Sequence, residues 1–154
     1  MRRLWRAADF IRAVRAQMRF GEFSRAPLKM IRFELRGECV ECDWLLRPGD
    51  PWDESLPRKA AATNVSVQAL KDAIRLREFL FYALPGVESA SLRAFRESGS
   101  GELEMLISGA VVRGPELYRH MPSIAMRAKL LGFQFWMQDG VLEALSQNDC
   151  AMSL

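Results

Sequence analysis

Two cysteines three positions apart, Cys39 and Cys42, are the residues whose types and spacing most readily suggest chemistry. A CxxC spacing supplies half of a zinc site or a redox pair. In an extended strand, however, residues three apart point to opposite faces, and the two residues between these cysteines continue a strand pattern. Only His120 and Cys150 could complete a four-ligand site. We therefore expect Cys42 in the core, no metal and no cofactor, with zinc bound through Cys39 and Cys42 as the alternative.

The single histidine, His120, is the natural candidate for a general base. A catalytic triad needs a nucleophile and an orienting carboxylate placed against such a base. Ser123 and Glu116 are close in sequence, but no pattern places them in that geometry, and the surrounding segment is typical of a loop before a helix. We identify no catalytic residue, so the question of an enzyme stays open and a non-catalytic role is favoured.

An acidic cluster surrounds a tryptophan in the proline-rich segment 47–64, which is predicted to be a long loop. Neighbouring carboxylates can carry out acid–base chemistry or hold a hard cation, and long loops often carry function. The alternative is that the tryptophan fixes the loop to the domain while the acids are solvated. The candidate ligand-binding residues are Asp50, Trp52, Asp53 and Glu54.

Positive charge is concentrated at the N-terminus. Residues 1–25 hold seven arginines against Asp9 and Glu22, a balance of +5, whereas the rest of the chain balances at −2. Residues 3–20 have apolar side chains at helical spacing, which predicts a basic amphipathic helix. Such a helix can dock on a partner protein, pack on its own sheet, or lie on a membrane surface. The candidate partner-binding residues are Trp5, Arg6, Ile11, Arg12 and Arg15.

The same charge distribution bears on the kind of partner. A nucleic-acid-binding domain usually carries a basic face on its folded part, and residues 26–154 are slightly acidic. We therefore expect a protein partner or a homo-oligomer and no nucleic acid, with membrane-surface contact as a less favoured alternative. Three cysteines are few and odd in number, which argues against a disulfide-stapled secreted protein and favours the cytoplasm.

Three segments have the strand–turn–strand pattern, namely 29–46, 87–112 and 133–145. In the first, a two-residue turn at Gly37-Glu38 predicts a register in which apolar residues share one face. The predicted pairs are Leu35 with Val40, Phe33 with Cys42, Ile31 with Trp44, Arg32 with Asp43 and Glu34 with Glu41. The last segment contains Asp139-Gly140, a strong hairpin signal that predicts Met137 opposite Leu142.

Apolar residues at helical spacing predict two further helices, over 66–84 and 122–131, the first capped by Asn64 or Ser66. These elements predict one α+β domain over 26–154, preceded by the N-terminal helix of 1–25. Its mostly antiparallel sheet has about six strands, with the two helices covering one face.

Together these observations predict a small cytoplasmic, non-catalytic interaction protein, an accessory subunit or adaptor that uses its N-terminal helix and an exposed sheet face. A sheet with one uncovered face is suited to dimerisation. The alternative is an enzyme or small-ligand-binding protein whose site lies at the acidic loop 47–64.

Overall fold

The computed structural model describes residues 2–17, 26, 28–48, 56–115 and 118–145, with side chains of the first helix described over 8–16. The described residues form three helices and six strands. In chain order they are α1 (Arg2–Gln17), β1 (Lys29–Arg36), β2 (Cys39–Leu45), α2 (Arg58–Ala83), β3 (Ser89–Glu97), β4 (Leu103–Val112), α3 (Ile124–Leu130), β5 (Phe133–Gln138) and β6 (Val141–Glu143). Within this part of the chain, no helix has the length and apolarity that crossing a membrane requires.

The strands form one mixed sheet whose spatial order follows the sequence, β1-β2-β3-β4-β5-β6. Each neighbouring pair is antiparallel except β2 and β3, which are parallel. A parallel pair needs a long crossover to bring the chain back to the same end of the sheet, and α2 supplies it. The predicted α+β class with a mostly antiparallel sheet is confirmed.

All three helices pack against the same face of the sheet. The ring centroid of Phe10 in α1 lies 4.9 Å from that of Phe33 in β1 and 5.5 Å from that of Phe79 in α2. In α3, Lys129 Nζ lies 5.3 Å from the ring centroid of Phe135 in β5. Helix α2 lies between the other two and contacts both. We call α1, α2 and α3 the helix layer, and the sheet face on which none of them packs the open face.

The core lies between the helix layer and the sheet, and alternate strand residues point into it. One row of core positions crosses five strands, through Phe33, Cys42, Leu92, Gly109 and Phe133. A Cβ added at Gly109 would meet the Phe133 ring at 2.5 Å. Glycine at this position therefore lets the aromatic ring pack directly on the backbone of β4.

The first hairpin pairs as predicted except at one residue. The observed pairs that match are Leu35 with Val40, Phe33 with Cys42, Arg32 with Asp43 and Glu34 with Glu41. Trp44 opposes Met30, however, so the predicted pairing with Ile31 is wrong. A bulge between Met30 and Arg32 takes Ile31 out of register, and its side chain is 39% exposed.

Two tight turns have the left-handed backbone that their sequences predict. Gly37 has φ of +60° in the first hairpin. Asp139 and Gly140 have φ of +53° and +81°, the combination that a type I′ turn requires. The chain after this turn is a strand, and Met137 opposes Leu142 as predicted.

Helix α2 begins at Arg58, earlier than predicted, so Asn64 and Ser66 lie inside the helix and do not cap it. The alanine-rich run that follows Arg58 has high helix propensity, and Pro57 is tolerated at the start of a helix. The Ser66 hydroxyl donates to the Ala62 carbonyl oxygen at 2.9 Å, a bond made within the helix. The loop before α2 is therefore shorter than the predicted 47–64.

The C-terminal end of α2 is held by an arginine from another part of the chain. Arg113, which follows β4, donates to the backbone carbonyls of Phe81, Leu84 and Val87 at 2.9, 2.8 and 2.8 Å. Its positive charge also meets the negative end of the helix dipole. One side chain thus fastens the end of α2 to the end of β4.

Candidate functional site

The two cysteines of the CxxC spacing lie on opposite sides of the sheet. Cys39 is exposed, with its Sγ 3.0 Å from Ser89 Oγ, whereas Cys42 is buried, with its Sγ 3.7 Å from the Met30 sulfur. Burial raises the pKa of the Cys42 thiol above its ordinary value, which keeps it protonated and unreactive. Cys150 lies outside the described residues, and within them no three His, Cys, Asp or Glu residues come together as metal ligands.

His120 lies in an exposed turn before α3. Ser123 is the N-cap of that helix, and its Oγ accepts a hydrogen bond from the Met126 backbone N–H at 3.2 Å. This contact gives Ser123 a structural role, and Glu116 lies outside the described residues. In the part of the chain that is described, nothing joins His120 to a nucleophile and a carboxylate in a catalytic arrangement.

The candidate residues of the acidic loop lie outside the described residues; they are Asp50, Trp52, Asp53 and Glu54. The structure does describe the end of β2 that leads to them. Two cavities flank residues 45–48, with volumes of about 410 Å³ and about 310 Å³. The larger is also lined by Arg15, Leu28 and Lys29.

Behind this strand end lies a buried ion pair between the sheet and the helix layer. Arg47 Nε is 2.9 Å from Asp72 Oδ2 of α2, and the two side chains are 0% and 4% exposed. Gln68 donates to the other carboxylate oxygen of Asp72 at 2.8 Å. Burial raises the pKa of Asp72 to about 6, against the opposing effect of the Arg47 charge. The Arg47 side chain is fully buried, so it joins the sheet to the helix layer and exposes no charge to the cavities.

Of the N-terminal candidate residues, three have described side chains. Ile11 is half-buried, whereas Arg12 and Arg15 are exposed. Trp5 and Arg6 belong to α1, but their side chains lie outside the described part of the chain.

The apolar side of α1 is used inside the domain. Phe10 and Val14 are 2% and 1% exposed and belong to the common core. The outward side of α1 carries Arg12 and Arg15, whose side chains are exposed.

The open face carries a network of arginines and carboxylates across β1, β2 and β3. At its centre Asp43, with a side chain 8% exposed, accepts two hydrogen bonds from Arg93 at 2.8 and 2.7 Å. Arg32 donates to Glu41 at 2.6 Å, and this bond holds the pKa of Arg32 above its ordinary value. The remaining members are Glu34 and Arg36, which are joined at 2.7 Å. Because these carboxylates are bound to arginines, the network supplies a polar surface and no free acid or base.

Beside the network, apolar side chains form a row across the open face. Leu45 of β2 opposes Phe95 of β3, which opposes Met105 of β4, and all three are half-buried. Trp136 of β5 lies on the same face and is 62% exposed. The Arg93 guanidinium carbon lies 5.6 Å from the Phe95 ring centroid, so the network adjoins the row. We call Leu45, Phe95, Met105 and Trp136 the apolar row.

The sequence analysis did not predict the apolar row, although the sequence pattern does indicate that one of its residues, Trp136, points outward. The alternation in the last hairpin points Trp136 away from the core. Leu45, Phe95 and Met105, however, come from distant segments. Their alignment depends on the parallel pairing of β2 with β3 and on a bulge in the β3–β4 pairing, and neither has a local signature.

Comparison with protein-family models, with curated proteins and with solved structures finds no match for this chain.

Proposed function

We propose that this protein is a small cytoplasmic, non-catalytic interaction protein, an accessory subunit or adaptor that binds a partner protein through the open face of its sheet. The observation that carries the proposal is the apolar row, which lies on a face that the described helices leave uncovered. Apolar surface bordered by polar residues is the usual mark of a protein-binding site.

The composition of the open face supports this role. Protein interfaces are enriched in aromatic residues, Met and Arg, and Trp and Arg dominate their binding energy. Trp136, Phe95 and Met105 supply the apolar centre, and Arg93 lies at its border. The charged network then forms the polar rim.

The N-terminal helix is the second contact of the proposal, through its outward residues. Because α1 packs on the face that α2 covers, Arg12 and Arg15 lie on the opposite side of the sheet from the apolar row. Trp5, Arg6 and Ile11 belong to the same proposed contact. Two binding surfaces on opposite sides suit an adaptor that joins two partners. Each partner is either another protein or a second copy of this chain.

The test compares two exposed aromatic residues, one on each side. Trp136→Ser removes the exposed end of the apolar row, and Tyr82→Ser removes a side chain that is 84% exposed on α2. Tagged full-length variants are purified from the native cell, and co-purifying proteins are quantified by mass spectrometry. Since interface tryptophans commonly contribute about 2 kcal/mol, we expect Trp136→Ser to lower recovery of a stoichiometric partner by about tenfold or more. Tyr82→Ser should leave that recovery unchanged.

The homo-oligomer form is tested on the same variants by sedimentation velocity. Self-association that is lost in Trp136→Ser and kept in Tyr82→Ser identifies the second copy as the partner. Equal recovery of partners from all variants, together with a monomer in every case, would contradict use of the open face. Arg12→Gln with Arg15→Gln in the full-length chain tests the N-terminal contact separately, because both side chains are exposed while Phe10 and Val14 of the same helix stay in the core.

A second candidate function is binding of a small ligand at the acidic loop. The observation that favours it is the pair of cavities on either side of residues 45–48, where that loop begins. Sites of this size accommodate small molecules. A thermal-shift screen of metabolites and divalent cations tests it, with the triple variant Asp50→Asn, Asp53→Asn and Glu54→Gln as the comparison. A stabilising compound whose effect persists in the triple variant would exclude these carboxylates as the site.

A further inference from the structure

The described part of the chain stops at Leu145, next to the apolar row. The Leu145 backbone N–H donates to the Met105 carbonyl oxygen at 2.8 Å, beyond the point where β4 pairs with β5. Met105 belongs to the apolar row and is paired on its other side with Phe95. The chain therefore leaves the described structure one strand spacing from the row, a distance of about 5 Å.

The last hairpin is anchored to the helix layer, which fixes this exit point. The Leu142 backbone N–H donates to Ser66 Oγ of α2 at 2.9 Å, and the Leu142 side chain lies in the core. Glu143 then stands opposite Trp136, the exposed end of the apolar row. Residues 143–145 thus pass beside the row before the described chain stops.

Nine residues of the sequence follow Leu145, and we call residues 146–154 the C-terminal segment. Its first four residues are Ser, Gln, Asn and Asp, and the next five include Ala151, Met152 and Leu154. The segment is therefore polar where it leaves the domain and more apolar farther along.

The C-terminal segment is long enough to cross the apolar row. Leu45 on β2 is the far end of the row, and three strand spacings of about 4.8 Å separate β2 from the position of Leu145. An extended chain advances about 3.3 Å per residue, so about five residues bridge this distance of about 14 Å. Residues 150–154 can therefore reach any part of the row.

We propose that the C-terminal segment folds back over the open face and covers the apolar row through Met152 and Leu154. Methionine adapts to irregular apolar surfaces, and the row offers Phe95 and Met105 at its centre. The segment has no Lys or Arg, so it meets Arg93 at the border of the row without charge repulsion. This inference rests on the proposed function, because it adds a means of regulating access to the same surface.

Covalent attachment favours this occupant over a separate molecule. A short tether holds a segment near its site at an effective concentration of about a millimolar, so even a small apolar contact is occupied. A second copy of the chain, or another protein, loses its translational freedom when it binds. A partner then binds the open face only by displacing the segment, and its apparent affinity is reduced in proportion to the fraction of molecules in which the row is uncovered.

The test measures the proximity of Cys150 to the apolar row in the full-length protein. A nitroxide spin label on Cys150 broadens the NMR signals of nearby groups, and Cys39→Ser keeps the label off the open face. Cys42 is buried and does not compete for the label. The signals compared are the indole N–H of Trp136 and the backbone N–H of Thr63, which lies beside the same hairpin on the helix layer.

Two double variants of the labelled chain provide the comparison. Met152→Ser with Leu154→Ser removes the large apolar side chains of the segment, whereas Gln147→Ala with Asn148→Ala changes its polar part. Far-UV circular dichroism checks that both variants fold.

We expect the label to broaden the Trp136 signal much more than the Thr63 signal. The serine variant should lose most of this difference, and the alanine variant should keep it. If the row is covered in about nine molecules of ten, the serine variant should also bind a partner of the open face about tenfold more tightly. Equal broadening of the Trp136 signal in the wild type and both variants would overturn the proposal, because a segment that is not bound to the row gives the same result.

A mixture of spin-labelled chains with isotope-enriched, unlabelled chains identifies the copy that supplies the segment. Broadening of the Trp136 signal in the unlabelled chains would place the segment of a second copy on the row and overturn the intramolecular contact.

The NMR measurement requires no partner, so its failure is distinct from failure of the proposed function. If the label leaves Trp136 unaffected while Trp136→Ser still lowers partner recovery, only the covering segment is refuted. A covered row with unchanged partner recovery in Trp136→Ser would support the covering segment and refute the proposed function.

Discussion

The two outer sides of this protein use arginine differently. On the open face, Arg32, Arg36 and Arg93 alternate with as many carboxylates and are bound to them. In the helix layer, the sequences of α1, α2 and α3 hold twelve Lys and Arg residues against three Asp and Glu. Equal numbers of arginines and carboxylates give a face polarity without net charge, whereas an excess of basic residues gives a layer a net positive charge. The position of a charge in the fold, more than its number in the sequence, therefore determines which partner a surface suits.

Two groups of polar contacts between these two sides form a third class, because their side chains are wholly or partly buried and bound to partners. The Arg47–Asp72 pair joins the sheet to the helix layer, and Arg113 joins β4 to the end of α2. We expect the free energy of unfolding to depend strongly on these groups and weakly on the open-face network.

The largest effect is expected for Asp72→Ala. The substitution leaves the Arg47 guanidinium buried without its carboxylate, and losses of about 3–5 kcal/mol are typical of a broken buried pair. Urea unfolding followed by circular dichroism measures the free energy of unfolding. The double substitution Arg47→Met with Asp72→Leu is the control, because it removes both charges and should recover most of the loss. A loss below about 1 kcal/mol for Asp72→Ala would show that the layers are not joined by this pair.

The next effect is a dependence of stability on pH. Burial raises the pKa of Asp72 in the folded protein to about 6, above its ordinary value of 3.8. The folded state therefore binds the proton more tightly, and the stability gained from it is present below about pH 4 and is lost as the pH rises through about 6. Relative to Asp72→Asn, the free energy of unfolding of the wild type should fall by up to about 3 kcal/mol between pH 4 and pH 7. Parallel pH profiles of the two proteins would contradict the raised pKa.

The smallest effect is expected on the open face. Asp43→Asn keeps the shape of the side chain but removes the charge that binds Arg93, which is partly exposed and can turn to water. The free energy of unfolding should fall by about 1 kcal/mol. Arg36→Gln, at an exposed position of the same network, should cause no measurable change. A loss for Asp43→Asn as large as that for Asp72→Ala would show that buried and surface ion pairs contribute equally to the stability of this protein.

Local patterns predicted much of this fold. The alternation of apolar residues and the turn residues gave the first and last hairpins, including the pairing of Met137 with Leu142. The wrong predictions concern the start of α2 and the pairing of Ile31. Asn64 and Ser66 are good caps, but the alanine-rich run before them extends the helix past both. The bulge that displaces Ile31 contains no glycine, so the sequence has no signal that predicts it.

The candidate surfaces were less predictable, because each is assembled from distant segments. The apolar row depends on the pairing of β2 with β3, and the excess of positive charge on one side depends on three helices that share that side. Buried pairs such as Arg47 with Asp72 are equally hidden, since each residue alone resembles a surface charge. Outward positions such as Trp136 could be predicted, but their neighbours could not.

The bulge at Ile31 also governs what can happen at one edge of the sheet, where β1 is the outermost of the described strands. It leaves a regular run over residues 32–36. If a second copy laid its own β1 antiparallel along this whole run, Glu34 would stand opposite its own counterpart, and Arg32 would stand opposite Arg36 of the copy. Sliding the copy along the strand in one direction places Arg32 opposite Glu34, but the pairing then includes the bulge at Ile31. Sliding it in the other direction places Arg36 opposite Glu34, but the pairing then includes the turn at Gly37. The edge therefore resists growth into a continuous sheet between molecules, the first step toward fibres, and protects a chain whose longest edge strand would otherwise be open to aggregation.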